Sequence, residues 1–72
     1  RVAVMRAHVS ALHELYGDVA GTRIARKHVG WYLEAAGGAA QLKSDFNRIE
    51  TAPAQLAWLD GLAVNPAWEQ AA

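Results

Sequence analysis

The stretch "RIARKHVGWYL", residues 23–33, combines a charged surface with an apolar face, and it decides the fold. Three fixed cations and a histidine fall within six residues, and a Trp-Tyr pair follows soon after them. At about 100° per residue, the turn of an α-helix, Arg23, Arg26 and Lys27 gather in one sector, and the large apolar side chains lie opposite. The stretch therefore predicts an amphipathic helix that buries one face and exposes a basic one.

The predicted buried face of this helix is centred on Ile24 and Trp31. On the helical wheel Ala20, His28 and Ala35 lie within about 40° of Ile24. The predicted apolar arc extends further, to about 180°, through Tyr32, Ala25, Val29 and Leu33. We expect Trp31 to be buried in the core rather than to serve as a base-stacking platform. Its truncation to Ala would then cost about 3–5 kcal/mol. His28 is predicted to be a hydrogen-bonded histidine of the core or its edge.

The same three- and four-residue apolar spacing extends along the chain, without the sustained alternation that is typical of strands. Gly17 is placed to end a first helix over about residues 2–16. A second helix is predicted to continue to about Ala36, where "GG" at 37 and 38 breaks the chain. A short third helix is indicated by an apolar stripe of Leu42, Phe46 and Ile49.

Thr51 and Pro53 mark the start of a fourth helix, because Thr is a favoured N-cap and Pro is tolerated in the first turn. Asn65-Pro66 is predicted to end it. Residues 65–72 are predicted to form a frayed tail, although Trp68 could dock on the core. The sequence thus predicts one all-α domain over residues 1–72, a small bundle of about four short helices.

Length and composition restrict the size of the core and the kinds of functional site that the chain can form. A chain of 72 residues with 53% hydrophobic residues suffices for one small core. It has no cysteine, hence no disulfide, thiol nucleophile or Cys-ligated metal site, which fits a reducing compartment. We find no signal peptide and no apolar run approaching about 18 residues. An Arg at position 1 instead of Met suggests a piece of a longer chain.

The charge distribution is uneven although the net charge is zero. Residues 1–48 hold all seven Lys and Arg with four acids, a net charge of +3. The remaining residues hold three acids and no cation, a net charge of −3. This asymmetry predicts a basic face aimed at an anionic partner, with a chance partition as the alternative.

The candidate binding residues lie on this basic face. A glycine inside a helix costs about 1 kcal/mol relative to alanine. Gly30 falls in the basic sector, where its missing side chain would leave a gap for another backbone, either an RNA strand or a neighbouring protein domain. A merely solvated charged face is the alternative. The predicted phosphate contacts are Arg23, Arg26, Lys27 and Gly30, with Lys43 and Arg48 as weaker candidates on the next helix.

No catalytic or metal site is predicted. His8 and His13 are five residues apart and do not share a helical face as a metal pair would. No third metal ligand is evident, and the Ser and Thr residues have no arranged base. A helix-turn-helix is conceivable, but the second predicted helix is too long and too apolar at its end for a recognition helix.

The stretch "YGDVAGTRIARKHVGWYLEAAGGAAQLKSDFNRIET", residues 16–51, resembles the C-terminal helical domain of bacterial tRNA-dihydrouridine synthases, closest to the B type. The spaced run G-x-R-x-x-R-K-H-x-x-W-Y over residues 21–32 is the specific part. The resemblance covers residue 8 to about residue 60.

The resemblance implies a cytoplasmic two-domain flavoenzyme. A (β/α) barrel binds FMN and reduces a uridine of tRNA with NADPH, and a small helical domain helps to grip the tRNA. The present chain would be that second domain, with no catalytic activity, cofactor, metal or membrane contact of its own. Its partners would be tRNA and the barrel. The resemblance maps Arg23, Arg26 and Lys27 onto the basic run of the family, and His28, Trp31 and Tyr32 onto its framework.

The neutral net charge implies that the barrel would supply part of the affinity for tRNA. Two other readings remain open from the residues. One is a helical protein–protein interaction module with a basic face, and the other is a small DNA-binding domain.

Overall fold

The computed structural model describes residues 2–37, 40–65 and 68, and the regular structure in these residues is α-helical. Helix α1 spans Val2–Ala35, α2 spans Ala40–Asn47 and α3 spans Ala52–Leu62. The predicted all-α class is confirmed for these residues, which form three helices rather than the predicted number of about four. The difference lies at Gly17, where the first two predicted helices meet as the two halves of α1, because only this residue between them leaves helical geometry.

Helix α1 is sharply bent at Gly17, where φ is 85° and ψ is 174°. This left-handed φ is easily adopted by glycine and is costly for a residue with a side chain. A straight helix of 34 residues would be about 51 Å long, yet the longest dimension of the molecule is 33 Å. The ring of His8 lies against that of His28. The two halves of α1 therefore fold back on each other.

Gly21 allows these two halves to pack closely. It is buried, and a Cβ atom at this position would lie 2.7 Å from the carbonyl oxygen of Leu12 and 2.9 Å from Cα of His13. Both neighbours are backbone atoms, which cannot move aside as the end of a flexible side chain can. The glycine is therefore required by the approach of the two helical halves.

Helix α3 begins where the sequence indicated, but it ends at Leu62, before the predicted stop at Asn65-Pro66, of which Pro66 lies outside the described residues. Gly37 has a φ of 77° after the end of α1, whereas Gly38 lies outside the described residues. In α2 Phe46 is buried. The predicted N-cap of α3 is confirmed, since Oγ1 of Thr51 accepts a hydrogen bond from the backbone N–H of Ala54 at 3.3 Å. Pro53 occupies the first turn, where its missing N–H costs little.

The core face of the second half of α1 differs from the prediction. Ala25, Val29 and Leu33, spaced four residues apart, are buried. Trp31 is 59% exposed, so the prediction that it is buried is wrong. The apolar residues of this helix cover about half its circumference, and small side chains such as Ala25 allow α1 to approach its neighbours closely. The helix is therefore rotated so that its smaller apolar residues face the core and Trp31 faces outward.

The core joins all three helices and one residue beyond them. Trp68 is buried, with its ring centroid 5.7 Å from that of Tyr32, so its predicted docking is confirmed. The rest of the predicted frayed tail, apart from Asn65, lies outside the described residues. The buried hydrophobic cluster comprises Val2, Val9, Leu12, Ala25, Val29, Leu33, Phe46, Leu59, Leu62 and Trp68.

A buried glutamine ties α3 to both halves of α1. Oε1 of Gln55 lies 2.6 Å from Nε2 of His13, which must donate the hydrogen bond because an amide oxygen only accepts. Nε2 of Gln55 donates to the carbonyl oxygen of Thr22 at 3.1 Å. Removing this side chain would leave Nε2 of His13 buried without its partner and would break the link to Thr22.

None of the helices found in the described ranges is both long enough and apolar enough to cross a membrane.

Candidate functional site

An open groove with a cationic lining lies where α1 faces α2, and we call it the basic groove. Positions four apart on a helix share a face, so α1 and α2 each contribute rows of neighbouring residues. Five of the six predicted binding residues line this groove, and Arg48 does not. The lining residues are Arg23, Arg26, Lys27, Gly30, Lys43 and Asn47.

Arg23 and Lys27 form a ridge beside the basic groove. Both are exposed, and neither forms an ion pair with the residues that the structure describes. They also line a second groove, with Ala20, Ile24 and His28. Their charges are therefore available to an anion that approaches from either side of the ridge.

Arg26 is partly engaged within the fold. It is half-buried, and its Nη2 donates a hydrogen bond to the backbone carbonyl oxygen of Ile49 at 2.9 Å. Its Nε is buried and has no hydrogen-bond partner in the described part of the chain. Arg26 thus holds α1 to the segment between α2 and α3, and only part of its guanidinium group faces the groove.

The predicted gap at Gly30 is filled by the side chain of Lys43. Gly30 is buried, and a Cβ atom there would lie 3.2 Å from Cε of Lys43. The ammonium group of Lys43 forms an ion pair with the carboxylate of Glu34. The expectation of open space above Gly30 is therefore wrong, and the charge of Lys43 is offset by an acid on α1.

Two residues at the end of α2 differ from the sequence-based prediction. Arg48 follows α2 and is exposed, but it lines neither groove that contains Arg23. Asn47 lines the basic groove and was not predicted. Its position four residues after Lys43 on the same helix was the available signal.

Trp31 extends the ridge of Arg23 and Lys27, because it follows Lys27 by four residues on α1. Its ring centroid lies 5.5 Å from that of His28, with the planes inclined by 59°. Nε2 of His8 lies 3.2 Å from Nδ1 of His28, so the aromatic row crosses from one half of α1 to the other. The prediction missed this surface because it placed Trp31 in the core.

The described residues contain no group of three His, Asp or Glu side chains that could hold a metal ion. Together, the helical architecture and the basic groove define the class of this chain as a small all-α protein with a cationic surface groove.

The chain belongs to the dihydrouridine synthase family, whose model matches residues 1–68. It is 51% identical over 65 residues to the tRNA-dihydrouridine synthase B of Vibrio parahaemolyticus, an alignment that covers 90% of this chain and 20% of that protein. It is 54% identical over 54 residues to the tRNA-dihydrouridine synthase B of Pseudomonas syringae, which covers 75% of this chain and 16% of that protein.

The chain thus spans about a fifth of the length of the curated relatives that it matches. No solved structure matches it significantly. The resemblance seen in residues 16–51 is confirmed at the level of the family. The assignment to the C-terminal domain, and the role in tRNA binding, stay predictions.

Proposed function

We propose that this chain is the C-terminal auxiliary domain of a tRNA-dihydrouridine synthase of the B type, and that its basic groove binds the phosphates of tRNA. The observation that carries the proposal is that Arg23 and Lys27, which form no ion pair with described residues, line one groove in a chain whose relatives are named for tRNA. Phosphate contacts fix position and affinity and carry little sequence information, which suits an auxiliary domain.

In this proposal the reduction of uridine occurs elsewhere in the parent protein, a cytoplasmic oxidoreductase. FMN and NADPH belong to a barrel domain outside this chain. Both grooves along Arg23 and Lys27 are open at the surface, whereas cofactor sites bury most of their ligand. Neither groove therefore fits a flavin, and the isolated chain is expected to have no catalytic activity.

The first half of α1 offers a surface for docking on that barrel. Val4 and Leu15 are each 73% exposed, and Val19, just beyond the bend, is 74% exposed. Val4 and Leu15 are separated by eleven residues, close to three helical turns, and so share a face. In this proposal these side chains are the candidates for contact with the barrel. They are distinct from the residues that line the basic groove.

The test is a salt titration of tRNA binding by the full-length protein. Each lost phosphate contact lowers the slope of log K against log salt by about 0.7 to 0.9. We expect this reduction for Arg23→Ala and for Lys27→Ala. Arg26→Ala is a poorer probe, because it also removes the hydrogen bond to the carbonyl of Ile49.

Arg6→Ala is the matched control. It removes the same charge from a cation that pairs with Asp60 and lines neither groove. Its exposed ion pair is worth at most about 1 kcal/mol, and the salt slope should not change. Glu34→Gln should have the opposite effect on the affinity for tRNA. Loss of this carboxylate releases Lys43 to contact a phosphate, so binding should become stronger.

Unchanged slopes for both Arg23→Ala and Lys27→Ala, in proteins shown to be folded by circular dichroism, would refute the tRNA-binding role. Such a result would favour the alternative of a helical protein–protein interaction module.

A further inference from the structure

Trp31 is a large aromatic side chain that lies outside the hydrophobic core of the described residues. Its exposed fraction, 59%, contrasts with that of the buried aromatic residues Phe46 and Trp68, at 1% and 4%. Its only described ring neighbour is His28, which is itself half-buried. The core face of α1 lies on the side of Val29 and Leu33, so packing within the described residues gives no reason for a Trp here.

Trp31 lies next to two cations on the same face of α1. Arg23, Lys27 and Trp31 are spaced four residues apart on the second half of α1, so successive members are about 6 Å apart along the helix axis. The first two are exposed and form no ion pair with described residues. The ridge therefore carries two cationic side chains, Arg23 and Lys27, followed by the exposed aromatic ring of Trp31.

Such an arrangement suits a nucleic-acid strand with unpaired bases. Proteins bind single-stranded segments by combining cationic side chains along the backbone with aromatic side chains on which bases stack. RNA loops and ends present unpaired bases in this way, whereas bases in an RNA duplex stay stacked. A purely apolar partner surface would match Trp31 but not the adjacent pair of cations.

We propose that Trp31 stacks on an unpaired base of the RNA whose phosphates are bound by Arg23 and Lys27. The proposal rests on the tRNA-binding function proposed above and adds to it the recognition of an unpaired nucleotide at one end of the ridge. The ring of His28 supports the indole from the side of α1 and is in turn contacted by His8.

The experiment compares tRNA binding by the full-length protein and its Trp31 variants. Loss of one base–aromatic stack weakens binding about 5- to 150-fold. We expect this loss for Trp31→Ala and for Trp31→Leu, which keeps an apolar side chain but has no π-face. Trp31→Phe should retain most of the affinity. The salt slope should stay at the wild-type value in all three, because no cation is removed.

Two further measurements sharpen the test. A fully paired RNA duplex offers no unpaired base within its stem, so Trp31→Ala should bind it as well as wild type does. Val64→Ala is the matched control, because Val64 is an apolar residue that is 73% exposed and lines neither groove. It should bind tRNA like wild type.

Each alternative outcome is distinguishable. Wild-type affinity of Trp31→Ala for tRNA, with a reduced salt slope for Lys27→Ala, would overturn the stacking proposal and leave the phosphate groove intact. Full affinity of Trp31→Leu would overturn it as well, since apolar contact alone would then suffice. Unchanged slopes for both Arg23→Ala and Lys27→Ala, with Trp31→Ala also binding normally, would refute both proposals.

Discussion

Replacing glycine by alanine at two helical positions should have opposite effects on stability. Gly21 lies where the halves of α1 meet, and Gly61 lies near the end of α3. A Cβ atom at position 61 would meet no atom within 4 Å, whereas at position 21 it would lie 2.7 Å from a backbone oxygen. The two substitutions make the same chemical change and differ in their surroundings.

The expected magnitudes follow from these contacts. Alanine is favoured over glycine inside a helix by about 1 kcal/mol, so Gly61→Ala should stabilise the fold by up to that amount. Gly21→Ala has the same intrinsic gain, but the extra methyl group forces the halves of α1 apart. Overpacking of this kind costs about 1–3 kcal/mol. The free energy of unfolding of the two variants should therefore differ by about 1–3 kcal/mol.

Urea and thermal unfolding, followed by circular dichroism, measure this difference. For a domain of this size, 1 kcal/mol corresponds to about 4–8 °C in the melting temperature. Gly30→Ala is an intermediate case, because its Cβ atom would meet the flexible side chain of Lys43 at 3.2 Å rather than backbone. Equal stability of Gly21→Ala and Gly61→Ala would show that the halves of α1 do not pack at Gly21, and the description of the bend would be wrong.

Two further substitutions test the core. Trp31→Ala should change the free energy of unfolding by less than about 1 kcal/mol, because this side chain is 59% exposed. Truncation of a buried Trp typically costs about 3–5 kcal/mol. A loss of that size in urea denaturation would show that Trp31 belongs to the core. Gln55→Leu should destabilise the domain by about 1–3 kcal/mol, since it leaves Nε2 of His13 buried without a partner and removes the hydrogen bond to the carbonyl of Thr22. Unchanged stability in the same assay would contradict the bridging role of Gln55.

The sequence predicts the positions of the helix ends better than the orientation of the helices. Gly17, Thr51 and Pro53 act through local backbone chemistry, and the structure has a bend, an N-cap and a first turn at these positions. The orientation of the second half of α1 depends on which partner it meets. Its apolar residues cover half the circumference, so periodicity alone did not separate Val29, which is buried, from Trp31, which is exposed.

In the candidate site, the positions of residues within one helix were predictable from the sequence, whereas the contacts between helices were not. The shared sector of Arg23 and Lys27 follows from helical spacing within one element. The placement of Lys43 over Gly30 and the hydrogen bond of Arg26 to Ile49 depend on how α2 and its following segment pack on α1. No local pattern encodes these contacts, because the partners are distant in the chain.

The bend at Gly17 also has a consequence for the order in which the domain folds. Contact between Leu12 and Gly21 closes a loop of about ten residues, a step that takes on the order of 10–100 ns. The contacts of Gln55 with Thr22 and His13 span 33 and 42 residues, and closing longer loops costs more entropy. We therefore expect the two halves of α1 to associate first and α3 to join them later. Hydrogen exchange would then show earlier protection in α1 than in α3.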